Sequence, residues 1–349
     1  MARPASADTC STLTVMTGSA SIKSVLLEDR VFPPPADFAA RMGTVHVPDM
    51  DAYRAMHERS IRDPEGFWGE VAKEFHWFTP WNTVLEWNLP DAKWFVGGTT
   101  NACFNCVDRQ VESGHGDEVA ILWEGEPVGA HGPEVRRITY RELRDEVARC
   151  AAALEQLGVR KGDVVTLYMG MVPELAIAAL ACARLGAPHS VIFGGFAAQA
   201  IVDRVQDAQS TVIVTCDGAW RRGSVVPLKA NVDAACAQLP GVKSVLVLKR
   251  TGNECTMRPG RDAWWHDVVP QQPTTRACEP VDSEHPLFLL YTSGSTGKPK
   301  GILHTTGGYM VYTAATARWT FNLVPGSGQV YFCTADIGWI TGHSYIVYG

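Results

Sequence analysis

From residue 118 onward, apolar and polar positions alternate between two rhythms. Short apolar runs rich in Val and Ile predict buried strands at 164–169, 190–193, 211–215, 244–248 and 287–291. Apolar residues at helical spacing predict helices at 140–157, 173–185, 197–208 and 228–239. Ahead of these, 119–123 and 136–139 read as a pair of strands; after them, 308–320 reads as a helix and 330–334 as a strand. Thr139-Tyr140-Arg141-Glu142 has the form of a capping box, and Gly158 stands where that helix stops. The alternation predicts an α/β fold: mostly parallel sheet flanked by helices, with a looser crossing stretch at 251–285.

The first 113 residues have another texture. Residues 1–20 predict a disordered N-terminus. Residues 21–113 hold many aromatics and prolines and little strand pattern, with amphipathic helices predicted at 51–61 and 65–75. The run Phe75-His76-Trp77-Phe78-Thr79-Pro80-Trp81, continued by Trp87, Trp94 and Phe95, predicts a segment held onto a larger body by its rings. The domain reading is therefore 1–20 disordered, 21–115 an N-terminal segment, and 116–349 an α/β domain.

Composition narrows the class. A chain of 349 residues fits one large or two ordinary domains, and 46% hydrophobic with 19% charged residues is the balance of a soluble globular protein. A net charge of −6 argues against a nucleic-acid scaffold, which needs a basic face. The ten cysteines are scattered and no secretory signal precedes them, so they read as reduced and intracellular. Cys103-Phe104-Asn105-Cys106 lacks a second matching pair and reads as two cysteines one turn apart on a helix. The longest apolar stretch, 175–187, is broken by Arg184 and is too short to span a bilayer. The expectation is a cytoplasmic protein with no membrane or nucleic-acid partner.

Four loops carry candidate chemistry. The apolar run 287–291 leads into Thr292, Ser293, Gly294, Ser295, Thr296, Gly297, Lys298, Pro299, Lys300 and Gly301. Hydroxyl donors, lysine charge and glycines that turn N–H groups inward make a triphosphate cradle. It is not a P-loop: only two residues separate Gly294 from Gly297, and Pro299 follows Lys298. Phe193-Gly194-Gly195-Phe196 follows a predicted strand, where paired glycines permit close backbone approach or simply a tight turn. Arg221, Arg222, Gly223 and Ser224 form a basic loop ahead of a predicted helix, read either as a phosphate site at a helix N-terminus or as a solvated turn. Lastly, Gly338 and Gly342 bracket Trp339, Ile340 and Thr341, an aromatic wall beside a hydroxyl that suits a small apolar substrate with a polar end. His343 reads as a hydrogen-bonded packing residue, and no serine-hydrolase elbow is present.

Together these stretches resemble the adenylate-forming acyl-CoA synthetases. Tyr291 to Gly301 is similar to that family's phosphate-loop signature and Ala335 to Tyr345 to its next core motif. Trp77 to Trp81, Trp94 to Gly98 and Asn105 to Arg109 resemble the N-terminal segment of its acetate-activating branch. The resemblance implies ATP, CoA and a short acid as substrates, with Mg2+ alongside ATP. It implies an acyl-adenylate formed with loss of pyrophosphate, then CoA displacing AMP. It implies that Thr292–Lys298 and Lys300 hold phosphates, and that Gly195, Arg221, Arg222, Gly223, Ser224 and Thr341 meet CoA. Trp339, Ile340 and Thr341 would then line the acyl pocket. The family often has a second basic residue where Ser224 stands. Propionate or another short acid, or a non-catalytic nucleotide- or CoA-binding remnant, are the alternatives.

Members of that family are roughly twice this length, and no later nucleotide-binding motif or adenylation lysine is found here. The chain therefore reads as an N-terminal portion, truncated before the last subdomain. The expected outcome is that these 349 residues alone release no acetate-dependent pyrophosphate, which a pyrophosphate assay on the purified chain checks.

Overall fold

The computed structural model describes residues 31–127, 129, 132–292 and 299–349. The predicted disorder at 1–20 lies outside them. Residues up to Gly43 form a small separate unit whose described part carries the helix Phe38–Met42. Everything below concerns Thr44–Gly349.

Its centre is a seven-stranded sheet in the order Asp262–Trp264, Ser244–Leu248, Val212–Cys216, Val165–Tyr168, His189–Val191, Pro286–Thr292, Lys300–Thr305. The first six run parallel, and the last is antiparallel to its neighbour. Val165–Tyr168, His189–Val191 and Val212–Cys216 are buried at every position, the polar Thr166, His189, Ser190 and Thr215 included, which is why they show no in-and-out alternation.

Parallel strands need crossovers, and the helices supply them. Pro173–Leu185 starts on proline, where a missing N–H costs nothing, and ends on Gly186 at φ 63°. Every residue in it but Glu174 is buried, so it has no polar face to show. Tyr140–Gln156 packs against it and carries the predicted capping box: the Glu142 N–H donates to Thr139 Oγ1 at 3.2 Å, and the Thr139 N–H donates to Glu142 Oε2 at 2.8 Å. Ala198–Ala208 and Leu228–Cys236 form a second helix pair. The chain steps from Val165–Tyr168 to His189–Val191 on one side, then back across to Val212–Cys216 on the other. Right-handed crossovers in opposite directions place their helices on opposite faces.

The N-terminal aromatics do pack onto this body. Phe67, Val71, Ala72 and Phe95 form a second core with Met310, Val311 and Ala315 of the helix Thr306–Phe321. Trp77, Trp81 and Trp94 close over it, and Trp77 donates its indole N–H to the Ala72 carbonyl at 3.0 Å. Asn101, fully buried, donates its side-chain amide to the carbonyls of Ala183 and Glu279 at 2.8 and 2.9 Å. One side chain thus joins the N-terminal segment, a sheet helix and the crossing stretch. The Cys103–Cys106 pair lies on a helical stretch, as expected. Among the described residues, no helix is long and apolar enough to cross a membrane.

Three expectations need correction. The N-terminal segment contains an antiparallel hairpin, Thr83–Asn88 with Asp91–Val96, in which only Phe95 is buried and burial does not alternate along either strand. The helix predicted over 65–75 is Pro64–Ala72 and gives way to turn hydrogen bonds after it. Residues 330–334 form no strand: Val330 and Phe332 stay exposed, with no ladder partner among the described residues.

A stack of rings crosses the core beside the sheet. His189 and His343 lie 5.4 Å apart with planes 3° from parallel, and both pack on Phe288. Burial holds both imidazoles neutral: His189 is pushed well below its usual value and His343 to about 4. The unfolded chain binds these protons below about pH 6.5 and the native chain does not, so stability is full above that pH and falls toward pH 4. The thermal midpoint should drop steadily from about pH 7 to about pH 4.5, His343 alone contributing on the order of 3 kcal/mol. A midpoint flat over that window in pH-scanned melting would contradict it.

Candidate functional site

Parallel strands share a polarity, so their carboxyl ends open on one edge of the sheet. Loops that leave neighbouring strands in opposite directions part there and leave a crevice. The crevice falls between Val165–Tyr168 and His189–Val191, and a cleft of about 800 Å³ fills it. Its walls are Met171, Phe193, Arg221, residues 332–336 and Trp339.

Phe193 is the platform of this cleft. The Arg221 guanidinium sits 4.4 Å from its ring centroid and makes no salt bridge among the described residues. Trp339 approaches the same ring at 6.1 Å. Asp336 lies beneath, accepting the Gly338 N–H at 2.7 Å. Burial raises its carboxyl, while the Gly338 hydrogen bond and the Arg221 charge oppose the rise. The cleft is therefore aromatic-walled, with one cation, Arg221, and one carboxylate, Asp336, in its lining.

The glycines keep the walls close. A Cβ at Gly194 would lie 2.9 Å from the Met169 carbonyl oxygen, and one at Gly195 would lie 2.6 Å from the Phe193 ring. Trp339 and Ile340 are 51% and 42% exposed, and Thr341 is exposed beside them on the short helix Ile340–Gly342. His343 is buried, with Nδ1 3.3 Å from the Trp339 carbonyl, in keeping with a packing role.

The arginine pair is not at a helix N-terminus. Ala219–Arg221 and Ser224–Val226 form a two-stranded hairpin, and Arg222 and Gly223 are its tip at φ 52° and 77°. Two consecutive positive φ values are the signature of a type I′ turn, which suits Gly at the second position. The Gly223 N–H already donates to Glu126 Oε1 at 2.6 Å. The helix begins later, at Leu228, and its Lys229 turns inward to Asp233 and Asp262. Arg221 and Arg222 therefore owe their place to the hairpin and not to a helix dipole.

Of the glycine-serine-lysine loop, Ser293, Gly294, Ser295, Thr296, Gly297 and Lys298 lie outside the described residues. Its stems are described. Thr292 pairs with Lys300 and Tyr291 with Gly301 across the antiparallel ladder. A P-loop lysine opens a helix, whereas Lys300 opens a strand. Because Pro286–Thr292 is parallel to His189–Val191, the loop leaves from the same sheet edge as the cleft, one strand further along.

Sequence reasoning passed over Phe193, Asp217 and Asp336. Asp217 is buried, and its Oδ1 accepts the N–H groups of Gly218, Arg250 and Thr251 at 2.7, 2.7 and 3.0 Å while Oδ2 accepts that of Gly252 at 2.7 Å. It holds together the two loops that follow Val212–Cys216 and Ser244–Leu248. An Asp-Gly directly after a buried strand was its only signal.

Comparison with known proteins gives consistent matches. Residues 107–349 match the family model described as AMP-binding enzyme, and residues 53–106 match acetyl-coenzyme A synthetase N-terminus. The chain is 54% identical over 333 residues to an acetyl-coenzyme A synthetase of Rhodopirellula baltica, covering 95% of this chain and 49% of that protein. It is 53% identical over 333 residues to that of Chlorobaculum tepidum, with the same coverage of 95% and 49%. For that of Mycobacterium tuberculosis the identity is 51% over 321 residues, 91% of this chain and 47% of the relative. The chain thus spans about half the length of the curated relatives it matches.

The floor of the cleft depends on Gly342. A Cβ there would lie 2.2 Å from the Asp336 carbonyl oxygen and 2.6 Å from the Ile337 Cα, both backbone atoms that cannot swing away. Gly342→Ala should cost about 1–3 kcal/mol through forced backbone movement. It should also alter the near-ultraviolet signal of Trp339. Unchanged denaturant midpoint and spectrum would contradict this.

Proposed function

We propose, on the premise that this chain belongs to the AMP-binding enzyme family, that it serves an AMP-forming acetate–CoA ligase. The observation that carries this is the convergence of Arg221 and Trp339 on Phe193 at the switch point of the sheet, far apart in sequence and together in one cleft.

The reaction needs alignment and charge neutralisation more than a protein nucleophile. A carboxylate attacking the α-phosphate of ATP brings two anions together. Thr292, Ser293, Gly294, Ser295, Thr296, Gly297, Lys298 and Lys300 supply hydroxyls, N–H groups and cations that hold the leaving pyrophosphate. Mg2+ would add positive charge along the phosphates. Among the described residues, the one cluster of metal-ligand type is Cys103, Asp108 and Cys278, a partly buried group outside the cleft lining, so the ion is best matched to the nucleotide itself.

For the second step, Arg221 is the group that meets a CoA phosphate, since its guanidinium is braced on Phe193 and makes no salt bridge among the described residues. Arg222 at the hairpin tip adds charge, with Gly195, Gly223, Ser224 and Thr341 along the thiol's approach. Trp339 and Ile340 bound the acyl group, and a wall this close to Phe193 favours a short acid such as acetate. The domain division that fits this reading is an N-terminal segment to about residue 115 and an adenylation domain after it.

The two half-reactions separate the roles. In a protein that carries these residues together with the remaining length of the relatives, Arg221→Ala should raise the KM for CoA about 10-fold or more, the loss of one charge-assisted phosphate contact. It should leave acetate-dependent ATP–pyrophosphate exchange nearly unchanged. Equal losses in both half-reactions, or an unchanged KM for CoA, would remove Arg221 from CoA binding. A panel of short acids assayed by AMP release on that longer protein tests acetate against propionate.

A further inference from the structure

Away from the cleft, one group of reactive side chains has no part in the proposed chemistry. Cys103 is fully buried as the N-cap of the helical turn Phe104–Asp108, and Cys278 is half-buried on the crossing stretch. Their sulfurs and an Asp108 carboxylate oxygen all lie within 4.8 Å of one another. Arg184, 2% exposed, reaches into the same group, bonding Asp108 through Nη2 at 2.5 Å and the Arg276 carbonyl through Nη1 at 2.6 Å. Its Nε is buried without a partner among the described residues. Cys278 also contacts Asp108 Oδ2 at 3.6 Å.

Three ligand-type side chains suggest a metal site, but Arg184 argues against one. A dication at this centre would share its surroundings with a buried guanidinium, and like charges at such separation repel strongly in a low dielectric. An anion is what the guanidinium favours. Burial works against a charge on Cys103, yet the neighbouring Cys278 thiol and the Arg184 charge outweigh it and hold that thiol below its usual value. Cys278, whose S–H donates to Asp108 Oδ2, is raised by the Cys103 beside it and by burial.

We propose that Cys103 and Cys278 form a site of reversible disulfide formation with a small peroxide as oxidant, entering from the Cys278 side. Once past Cys278, the peroxide meets the Cys103 thiolate, which attacks one of its oxygens; the O–O bond breaks and hydroxide leaves. Cys278 then attacks the sulfur of the Cys103 sulfenic acid, and the departing hydroxyl takes the Cys278 proton and leaves as water. The peroxide gains two electrons and the two sulfurs lose one each. The bond would tie the N-terminal segment covalently to the crossing stretch, which Asn101 already joins by hydrogen bonds.

The test exposes the protein to hydrogen peroxide, blocks remaining thiols with iodoacetamide in denaturant, and maps disulfides by mass spectrometry without reduction. The expected result is a Cys103–Cys278 linked peptide about ten-fold more abundant than any other linked pair, lost on treatment with dithiothreitol and absent in Cys278→Ser. In Arg184→Lys, which keeps the charge, the link should persist. Recovery of both residues fully alkylated while other cysteines are oxidised would overturn the proposal. So would oxidation of Cys278 to sulfinic acid with Cys103 still free. Stoichiometric zinc recovered from the untreated protein would also overturn it, in favour of a metal site.

Discussion

A parallel sheet whose central strands are buried on both faces must be covered on both sides, and most of this molecule follows from that requirement. Val165–Tyr168 and Val212–Cys216 have no residue to spare for solvent. Crossover helices must therefore lie on each side, and the chain must change direction at the middle of the sheet to place them there. That change of direction opens the cleft. The site is a by-product of covering the sheet, and the side chains that give it chemistry sit on short loops the sheet holds still.

Those elements whose sequence pattern matches their burial were legible from the sequence. Pro173–Leu185 and Ser244–Leu248 agree with their predicted ends because Pro, Gly and apolar runs mark them. The hairpin Ala219–Arg221 with Ser224–Val226 was not legible. Three-residue strands are too short to show a period, and Arg222-Gly223 reads as a solvated loop until the turn geometry is seen. Val330 and Phe332 mislead in the other direction, since an alternating apolar run makes a strand only where a neighbouring backbone accepts its hydrogen bonds. Within the cleft, Arg221 and Trp339 were singled out by residue type. Phe193, which brings them together, is an ordinary aromatic beside two glycines, and only tertiary packing gives it a role.

The N-terminal segment shows how irregular chain can be fixed without a sheet of its own. Its aromatic rings contribute area, but Asn101 contributes position. A buried amide left without acceptors would cost roughly 1–3 kcal/mol, so the carbonyls of Ala183 and Glu279 have to stay in reach. Asp217 acts in the same way just after Val212–Cys216, where four N–H groups converge on one carboxylate. Polar side chains of this kind specify which loops touch, while the apolar core specifies only that they are close.

The cleft draws its walls from four stretches of chain, around Met171, Phe193, Arg221 and residues 332–339. None of these alone is a binding surface, so an unfolded chain has nothing to offer a ligand. Occupancy and folding are then linked by mass action. Any molecule that fills the cleft adds RT ln(1 + [L]/Kd) to the stability of the native state, about 2.7 kcal/mol at a hundred times its dissociation constant. The crevice left by the sheet's change of direction thereby makes the fold itself a reporter of what it binds.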